Sequence, residues 1–92
     1  MADNNKHQIS GTIEDVLEPV VISDKFTKHE FIVRTDEAYP QSLCFQATGE
    51  GFIQFLRTRV KSGMPVTVHF NIAGKENNGR YFTTLKAWKI EL

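Results

Sequence analysis

Apolar and polar residues alternate along most of this chain, and the alternation predicts five β-strands. Successive side chains of a strand point to opposite faces, so a period of two marks a strand with one buried face. The segments with this period are residues 9–17, 26–35, 42–48, 65–74 and 81–90. In the second and fourth segments the inward set is apolar: Phe31, Val33, Val66, Val68, Phe70 and Ile72. The outward set of the second segment is mostly charged: Lys28, Glu30, Ile32 and Arg34.

Residues 50–60 change to a helical period and predict the one helix of the chain. Its apolar side chains fall on a single stripe: Phe52, Ile53, Phe55, Leu56 and Val60. Lys61-Ser62-Gly63 follows, with a glycine suited to a left-handed C-terminal cap. We therefore expect the helix to end there.

The loops and turns between these segments complete the predicted order of elements. Residues 18–25 have turn chemistry and predict a loop, Gly11 is expected to form a bulge or bend, and Asn78-Gly79 predicts a hairpin with a type I′ turn. Three strands, a helix and a two-stranded hairpin are typical of the oligonucleotide/oligosaccharide-binding (OB) barrel. We expect an all-β, five-stranded OB barrel with one short helix between strands three and four, as a single domain over residues 1–92 in which residues 1–7 form a disordered tail.

The orientation of Trp88 stays open at this stage. Strict alternation groups it with Phe82, Thr84, Lys86 and Ile90, opposite Tyr81, Leu85 and Ala87. We expect Trp88 to be largely buried, because large aromatic side chains are more often core residues than surface platforms. The alternative is a stacking element on the outer surface beside Lys86.

Composition narrows the class of protein. The 92 residues include 11 basic and 11 acidic side chains, so the formal net charge is zero and any anionic partner must be met by a local patch. A single cysteine, Cys44, rules out an internal disulfide and is typical of a reducing compartment. The polar start lacks a signal sequence, and no run is long enough to cross a membrane. A cytoplasmic protein is expected.

Residues that could carry catalysis or bind a metal are sparse. Cys44 has no histidine near it in sequence, and a cysteine on a strand is usually a packing residue. His7, His29 and His69 are widely separated, so no zinc-ligand spacing occurs. We therefore expect no enzyme activity, no metal and no cofactor.

From Leu43 onward the chain resembles bacterial single-stranded DNA-binding proteins of the SSB type. The resemblance lies in five stretches: Leu43-Cys44-Phe45-Gln46-Ala47-Thr48-Gly49, Phe52-Ile53-Gln54-Phe55-Leu56, Lys61-Ser62-Gly63, Val66-Thr67-Val68 and Gly79-Arg80-Tyr81-Phe82-Thr83-Thr84. A more specific likeness, to an uncharacterised group of short bacterial and phage-borne OB proteins, lies in Tyr39-Pro40-Gln41 and in residues 78–82 leading to Ala87-Trp88. The SSB resemblance implies a non-catalytic, sequence-independent protein that binds single-stranded DNA in replication, recombination or repair, with RNA left open, and that assembles into dimers or tetramers.

Single-strand binding requires cations along the backbone path and exposed rings on which bases stack. The residues on the usual OB groove that meet this need are Lys25, Phe26, Lys28, Arg34, Lys75, Arg80, Tyr81, Lys86 and Trp88. Asp24, Glu30 and Glu76 are interleaved with them, so an ordinary solvated charged face is the competing interpretation.

One departure from the SSB pattern favours a second function. Where that family has stacking aromatics on strand three, this chain has Ser42, Cys44, Gln46 and Thr48. Recruitment of partners by the family's acidic C-terminal tail is likewise not expected, because the sequence stops at Ile90-Glu91-Leu92. The alternative is an OB-fold protein-interaction or assembly module without nucleic-acid binding.

Overall fold

Seven strands and one helix form within residues 5–92, the part of the chain that this computed structural model describes. In chain order they are β1 (His7–Val16), β2 (Val20–Ser23), β3 (Phe26–Lys28), β4 (Glu30–Thr35), β5 (Ser42–Ala47), α1 (Glu50–Arg59), β6 (Pro65–Asn77) and β7 (Arg80–Glu91). In these residues no helix is both long enough and apolar enough to span a membrane.

Five of the strands close into a barrel in the order β1-β4-β5-β7-β6. All neighbours are antiparallel except β5 and β7, which run parallel and pair only through Gln46 with Lys86 and Ala47 with Ala87 among the described residues. The helix α1 lies between β5 and β6 in the chain. The all-β, five-stranded OB barrel expected from the sequence is therefore confirmed.

The barrel interior is filled by the apolar residues that alternation places inward. Phe31, Val33 and Phe45 have no exposed surface, and the rings of Phe31 and Phe45 stack with their centroids 5.4 Å apart. The helix contributes buried Leu56, and Phe52 meets Phe31 edge-to-face at 6.3 Å. Each such side chain contributes roughly 1.5–3 kcal/mol through burial, so this cluster is the main source of stability.

Beyond Phe70, β6 leaves the barrel and continues with β7 as a two-stranded arm, residues 72–85. Along the arm these two strands pair with each other and with no third strand of the described chain. Ile72, which alternation places in the core, is therefore 41% exposed, and that prediction is wrong. At the tip Asn78 and Gly79 have φ of 54° and 79°, as a type I′ turn requires, so the predicted hairpin is confirmed.

Residues 18–25, predicted to be a loop, contain a strand. β2 pairs with β3 as a separate two-stranded sheet, hereafter the β2–β3 ribbon. The predicted second strand is correspondingly interrupted at His29, since Lys28 pairs back onto Val20 whereas Glu30 pairs onto Gln46 of the barrel. The strand breaks at His29 because the chain changes its pairing partner there.

Two glycine predictions also need correction. Gly11 is in register with both Thr35 and Val66, and the irregularity of β1 falls between Ile13 and Asp15 instead. Gly63 does not cap the helix, because α1 ends where Val60 is extended; Gly63, with φ of 91°, turns the chain afterwards and donates its N–H to the Ile13 carbonyl at 2.7 Å.

The first strand begins earlier than the sequence predicts. Residues 1–4 of the expected tail lie outside the described residues, but His7 is the first residue of β1. The Asn5 side chain makes two hydrogen bonds with the Ile72 backbone, accepting from its N–H at 3.0 Å and donating to its carbonyl at 2.9 Å. A side-chain amide thus takes the place of one strand pair at the base of the arm.

Candidate nucleic-acid interface

Trp88 faces outward at a one-residue bulge of β7. In the pairing of β6 with β7, Phe70 faces Ala87 and His69 faces Lys89, so Trp88 is the extra residue. Ala87 before it and Ile90 after it are both buried, whereas Trp88 is 42% exposed. The expectation of a largely buried Trp88 is therefore wrong, and the alternative, an outer ring beside Lys86, is what the fold contains.

Two side chains of β6 hold the indole in place. Trp88 Nε1 donates a hydrogen bond to Asn71 Oδ1 at 3.0 Å, and the His69 ring lies with its centroid 5.5 Å from the indole. The indole N–H thus has a hydrogen-bond partner, and the His69 ring packs against part of the indole. A ring fixed in this way loses little conformational entropy when a base stacks on it.

Trp88 lies at one end of a groove on the outer face of the barrel and arm. Three adjoining depressions form this outer groove: the first and second share Lys86, and the second and third share Gln46 and Thr84. Their lining residues are Lys6, Lys28, Glu30, Cys44, Gln46, Thr48, Asn71, Ala73, Gly74, Lys75, Asn77, Phe82, Thr83, Thr84, Leu85, Lys86 and Trp88. The outer groove therefore runs from Trp88 across the seam between β5 and β7 and along the arm.

The outer groove is basic although the chain as a whole is neutral. Its described lining contains four lysines and one carboxylate, Glu30. Glu30 is engaged by Lys28, whose Nζ lies 3.5 Å from Glu30 Oε2. Lys75 stands opposite Phe82, which is 51% exposed, and Lys86 is two residues before Trp88. Cations and exposed rings thus alternate along one path, as single-strand binding requires.

Cys44 lies in this groove as an unreactive thiol. Its Sγ–H donates to Glu30 Oε2 at 3.4 Å. Partial desolvation, together with the hydrogen bond and negative charge of Glu30, raises the pKa of Cys44 to about 11. A thiol with so high a pKa is protonated at neutral pH and is a poor nucleophile. In residues 5–92 no group of three or more His, Cys, Asp or Glu side chains is placed to hold a metal ion.

A family model described as a domain of unknown function, DUF3127, matches residues 8–91. The chain belongs to the DUF3127 family. A comparison with curated proteins finds no match.

Three solved structures share the fold of this DUF3127 chain. The mitochondrial single-stranded DNA-binding protein Rim1 of S. cerevisiae superposes with a TM-score of 0.82 at 20% identity, covering 98% of this chain and 96% of that chain. The SSB domain of a Synechococcus protein gives 0.73 at 16% identity, covering 100% and 99%. The dimeric N-terminal domain of PriB from Thermoanaerobacter tencongensis gives 0.69 at 16% identity, covering 97% and 96%. At these identities the likeness establishes the OB fold.

The DUF3127 structure brings together only part of the site expected from sequence. Lys28, Lys75, Lys86 and Trp88 line the outer groove. Arg80 pairs with Asn77 and so lies on the same face of the arm as Lys75, near the tip.

The other expected residues lie elsewhere. Tyr81 pairs with Glu76, which puts it on the opposite face of the arm from Phe82. Phe26 lies on β3 of the ribbon and Lys25 in the turn before it, both outside the groove lining. Arg34 pairs with Ser42, four residues along β4 from Glu30, or about 13 Å from the groove end of that strand.

One ring and one cation of the outer groove, Phe82 and Lys6, are absent from the site predicted from sequence. Phe82 carried a signal, because alternation groups it with Lys86 and Trp88, so turning Trp88 outward brings Phe82 with it. Lys6 carried none, since it was assigned to a disordered tail and is placed beside Trp88 only by the pairing of β1 with β6.

Proposed function

We propose that this DUF3127 protein is a non-catalytic, sequence-independent single-stranded DNA-binding protein that serves replication, recombination or repair. The observation that carries the proposal is the outer groove, where Lys75 and Lys86 alternate with the exposed rings of Phe82 and Trp88. Stacking of each base contributes about 1–3 kcal/mol and tolerates any sequence, because every base has a π-face.

The missing aromatic residues of β5 do not weigh against this function. The outward residues of β5 are Ser42, Cys44 and Gln46, as the sequence predicts. The rings of the outer groove come from β7 instead, which lies beside β5 across the seam. Gln46 and Thr84 then serve as hydrogen-bonding groups between the rings.

Removal of positive charge from the outer groove, with binding measured at different salt concentrations, tests the proposal. A fluorescein-labelled oligo-dT is titrated by anisotropy at two salt concentrations with the wild type and with the double variant Lys75→Ala/Lys86→Ala. Each lost phosphate contact removes about 0.7 from the slope of log affinity against log salt, so the double variant is expected to lose about 1.4. The matched control is Arg59→Ala/Lys61→Ala, which removes the same charge from exposed residues outside the groove.

Absence of micromolar binding by the wild type at low salt would end the proposal. An equal loss of slope in the control variant would also contradict it, because the effect would then come from overall charge and not from the groove.

An exposed apolar patch favours a second candidate, a protein-interaction module. Val20, Val21, Ile22 and Phe26 on the β2–β3 ribbon are 50%, 73%, 57% and 45% exposed. Several exposed apolar side chains on one short segment often mark a protein contact. Val21→Ser/Ile22→Ser is expected to leave DNA binding intact under the first function and to abolish capture of a partner protein under the second, as measured by pull-down.

Self-association and a cytoplasmic location belong to the same proposal. The dimeric PriB domain of the same fold supports assembly of this chain into a homo-oligomer. Light scattering coupled to size exclusion, with and without oligo-dT, measures the number of copies. A monomer at all concentrations would contradict this part alone.

A further inference from the structure

We infer that the two exposed rings of the outer groove set a minimum ligand length: a single strand must be long enough to reach from Trp88 to Phe82 before it gains full affinity. This inference rests on the proposed function and specifies its ligand. The two rings are presented by the same strand, on the same face, and Lys86 lies between them. They act as two stacking platforms at a fixed separation with a cation in the middle.

The separation follows from the geometry of β7. Phe82 and Trp88 are six residues apart on that strand, which corresponds to about 20 Å at a rise of about 3.3 Å per residue. Both rings are exposed and lie on the same side of β7, because Phe82, Lys86 and Trp88 are separated by even numbers of residues and the register shifts only after Ala87. The base of the arm is held by the two Asn5 hydrogen bonds to Ile72, so the spacing is built into the fold.

A strand that stays stacked advances about 3.4 Å per nucleotide and needs about six steps to cover the distance between the rings. A strand unstacked to twice that rise needs about three steps. The segment that engages both rings therefore contains about four to seven nucleotides. A shorter ligand can use one ring and Lys86, but not both rings together.

The energetic consequence is a step in affinity with length. Engaging the second ring adds one base stack, which corresponds to about a 5-fold to 150-fold gain. Once both rings are occupied, further nucleotides raise affinity in proportion to the number of ways the strand can be placed. The expected curve for one protein copy is a jump between three and seven nucleotides followed by a gradual rise.

Oligo-dT of three to twelve nucleotides tests the inference, with two readouts. Anisotropy competition against a labelled long oligo-dT gives the affinity of each length. Quenching of Trp88, the only tryptophan of the chain, reports occupancy of one ring directly. Phe82→Ala is expected to remove the step while leaving Trp88 quenching by short oligonucleotides intact. Trp88→Ala is expected to remove the step, and Trp88→Phe to restore most of it.

Tyr39→Ala is the matched control. Tyr39 is 88% exposed, lies between β4 and β5 and is not part of the groove lining. It should keep the step at wild-type length. Circular dichroism melting of each variant confirms that the barrel is folded.

The outcomes separate this inference from the function beneath it. Loss of the step in Phe82→Ala and Trp88→Ala, but not in Tyr39→Ala, supports the two-ring ligand. Salt-sensitive binding of long oligo-dT that rises smoothly with length, or a step that survives Phe82→Ala, overturns the inference and leaves the proposed function standing. No binding at any length removes both.

Discussion

Barrel closure depends on how closely β1 approaches β4 at Gly11. Gly11 pairs with Thr35 on one side and Val66 on the other, so the strand is central at this point. A Cβ built on Gly11 would collide with the Arg34 carbonyl oxygen and would lie 2.8 Å from Val33 Cγ1. We predict that Gly11→Ala strongly destabilises the fold, because a backbone carbonyl in a ladder cannot rotate away as a side chain can.

The magnitude follows from the kind of clash. Overpacking a rigid site costs about 1–3 kcal/mol, and the backbone contact places Gly11→Ala near 3 kcal/mol. For a domain of this size, that loss lowers the melting temperature by about 12–24 °C. Thermal unfolding followed by circular dichroism measures the shift, and urea titration gives the corresponding free energy of unfolding.

Gly74→Ala provides the matched comparison within the same sheet. A Cβ on Gly74 has the Phe82 carbonyl oxygen at 4.0 Å as its nearest neighbour, which is an ordinary contact. This variant is expected to unfold within about 0.5 kcal/mol of the wild type, or to gain slightly from a less flexible unfolded chain. Equal melting temperatures for Gly11→Ala and Gly74→Ala would refute the reasoning about close approach.

Three further predictions concern the groove and the arm. Asn71→Ala removes the hydrogen bond to Trp88 Nε1 and is expected to weaken oligo-dT binding about two- to tenfold and to lower the fluorescence anisotropy of Trp88; unchanged values for both would contradict it. Because its pKa is raised to about 11, Cys44 should be alkylated by iodoacetamide only slowly at pH 7 and faster as pH rises, and Glu30→Gln should lower that pKa and speed the reaction at pH 8, as mass spectrometry would show. Asn78→Val places a β-branched residue at φ of 54° and should cost about 1–2 kcal/mol in thermal melts, whereas Asn78→Gly should cost little.

Features that depend on local geometry could be read from the sequence. Phe31 and Val33 face the core because side chains on a strand alternate whatever the partner strand is. The turn at Asn78-Gly79 forms because these residue types tolerate positive φ. Both depend on a few neighbouring residues, so the pattern was sufficient.

Features that depend on strand pairing could not be predicted from the sequence. Strict alternation puts Trp88 on the side of both Lys86 and Ile90, and only the bulge against His69 and Phe70 lets Ile90 face the core while Trp88 stays outside. Ile72 alternates like a core residue but follows the point where β6 leaves the barrel. These two errors have the same cause, because each residue's surroundings are set by another strand.

Some residues of the candidate site could likewise be predicted from the sequence, and others could not. Lys75 and Lys86 could be assigned to the groove from their places on the hairpin. Tyr81 could not be separated from Phe82 until the register with β6 put them on opposite faces. The ribbon strand β2 was missed because Val20-Val21-Ile22 is continuously apolar, with no alternation to mark a strand open on both faces.

The barrel closes through a short parallel pairing between β5 and β7. Two residue pairs hold it, helped by Thr48, whose N–H and hydroxyl both donate to the Ala87 carbonyl at 3.1 Å. Gln46 and Lys86 form one of those pairs and also line the outer groove. A molecule bound there contacts both β5 and β7. Its binding therefore stabilises the closed barrel, and the closed barrel in turn favours its binding. The same residue pair therefore contributes both to ligand affinity and to the stability of the fold.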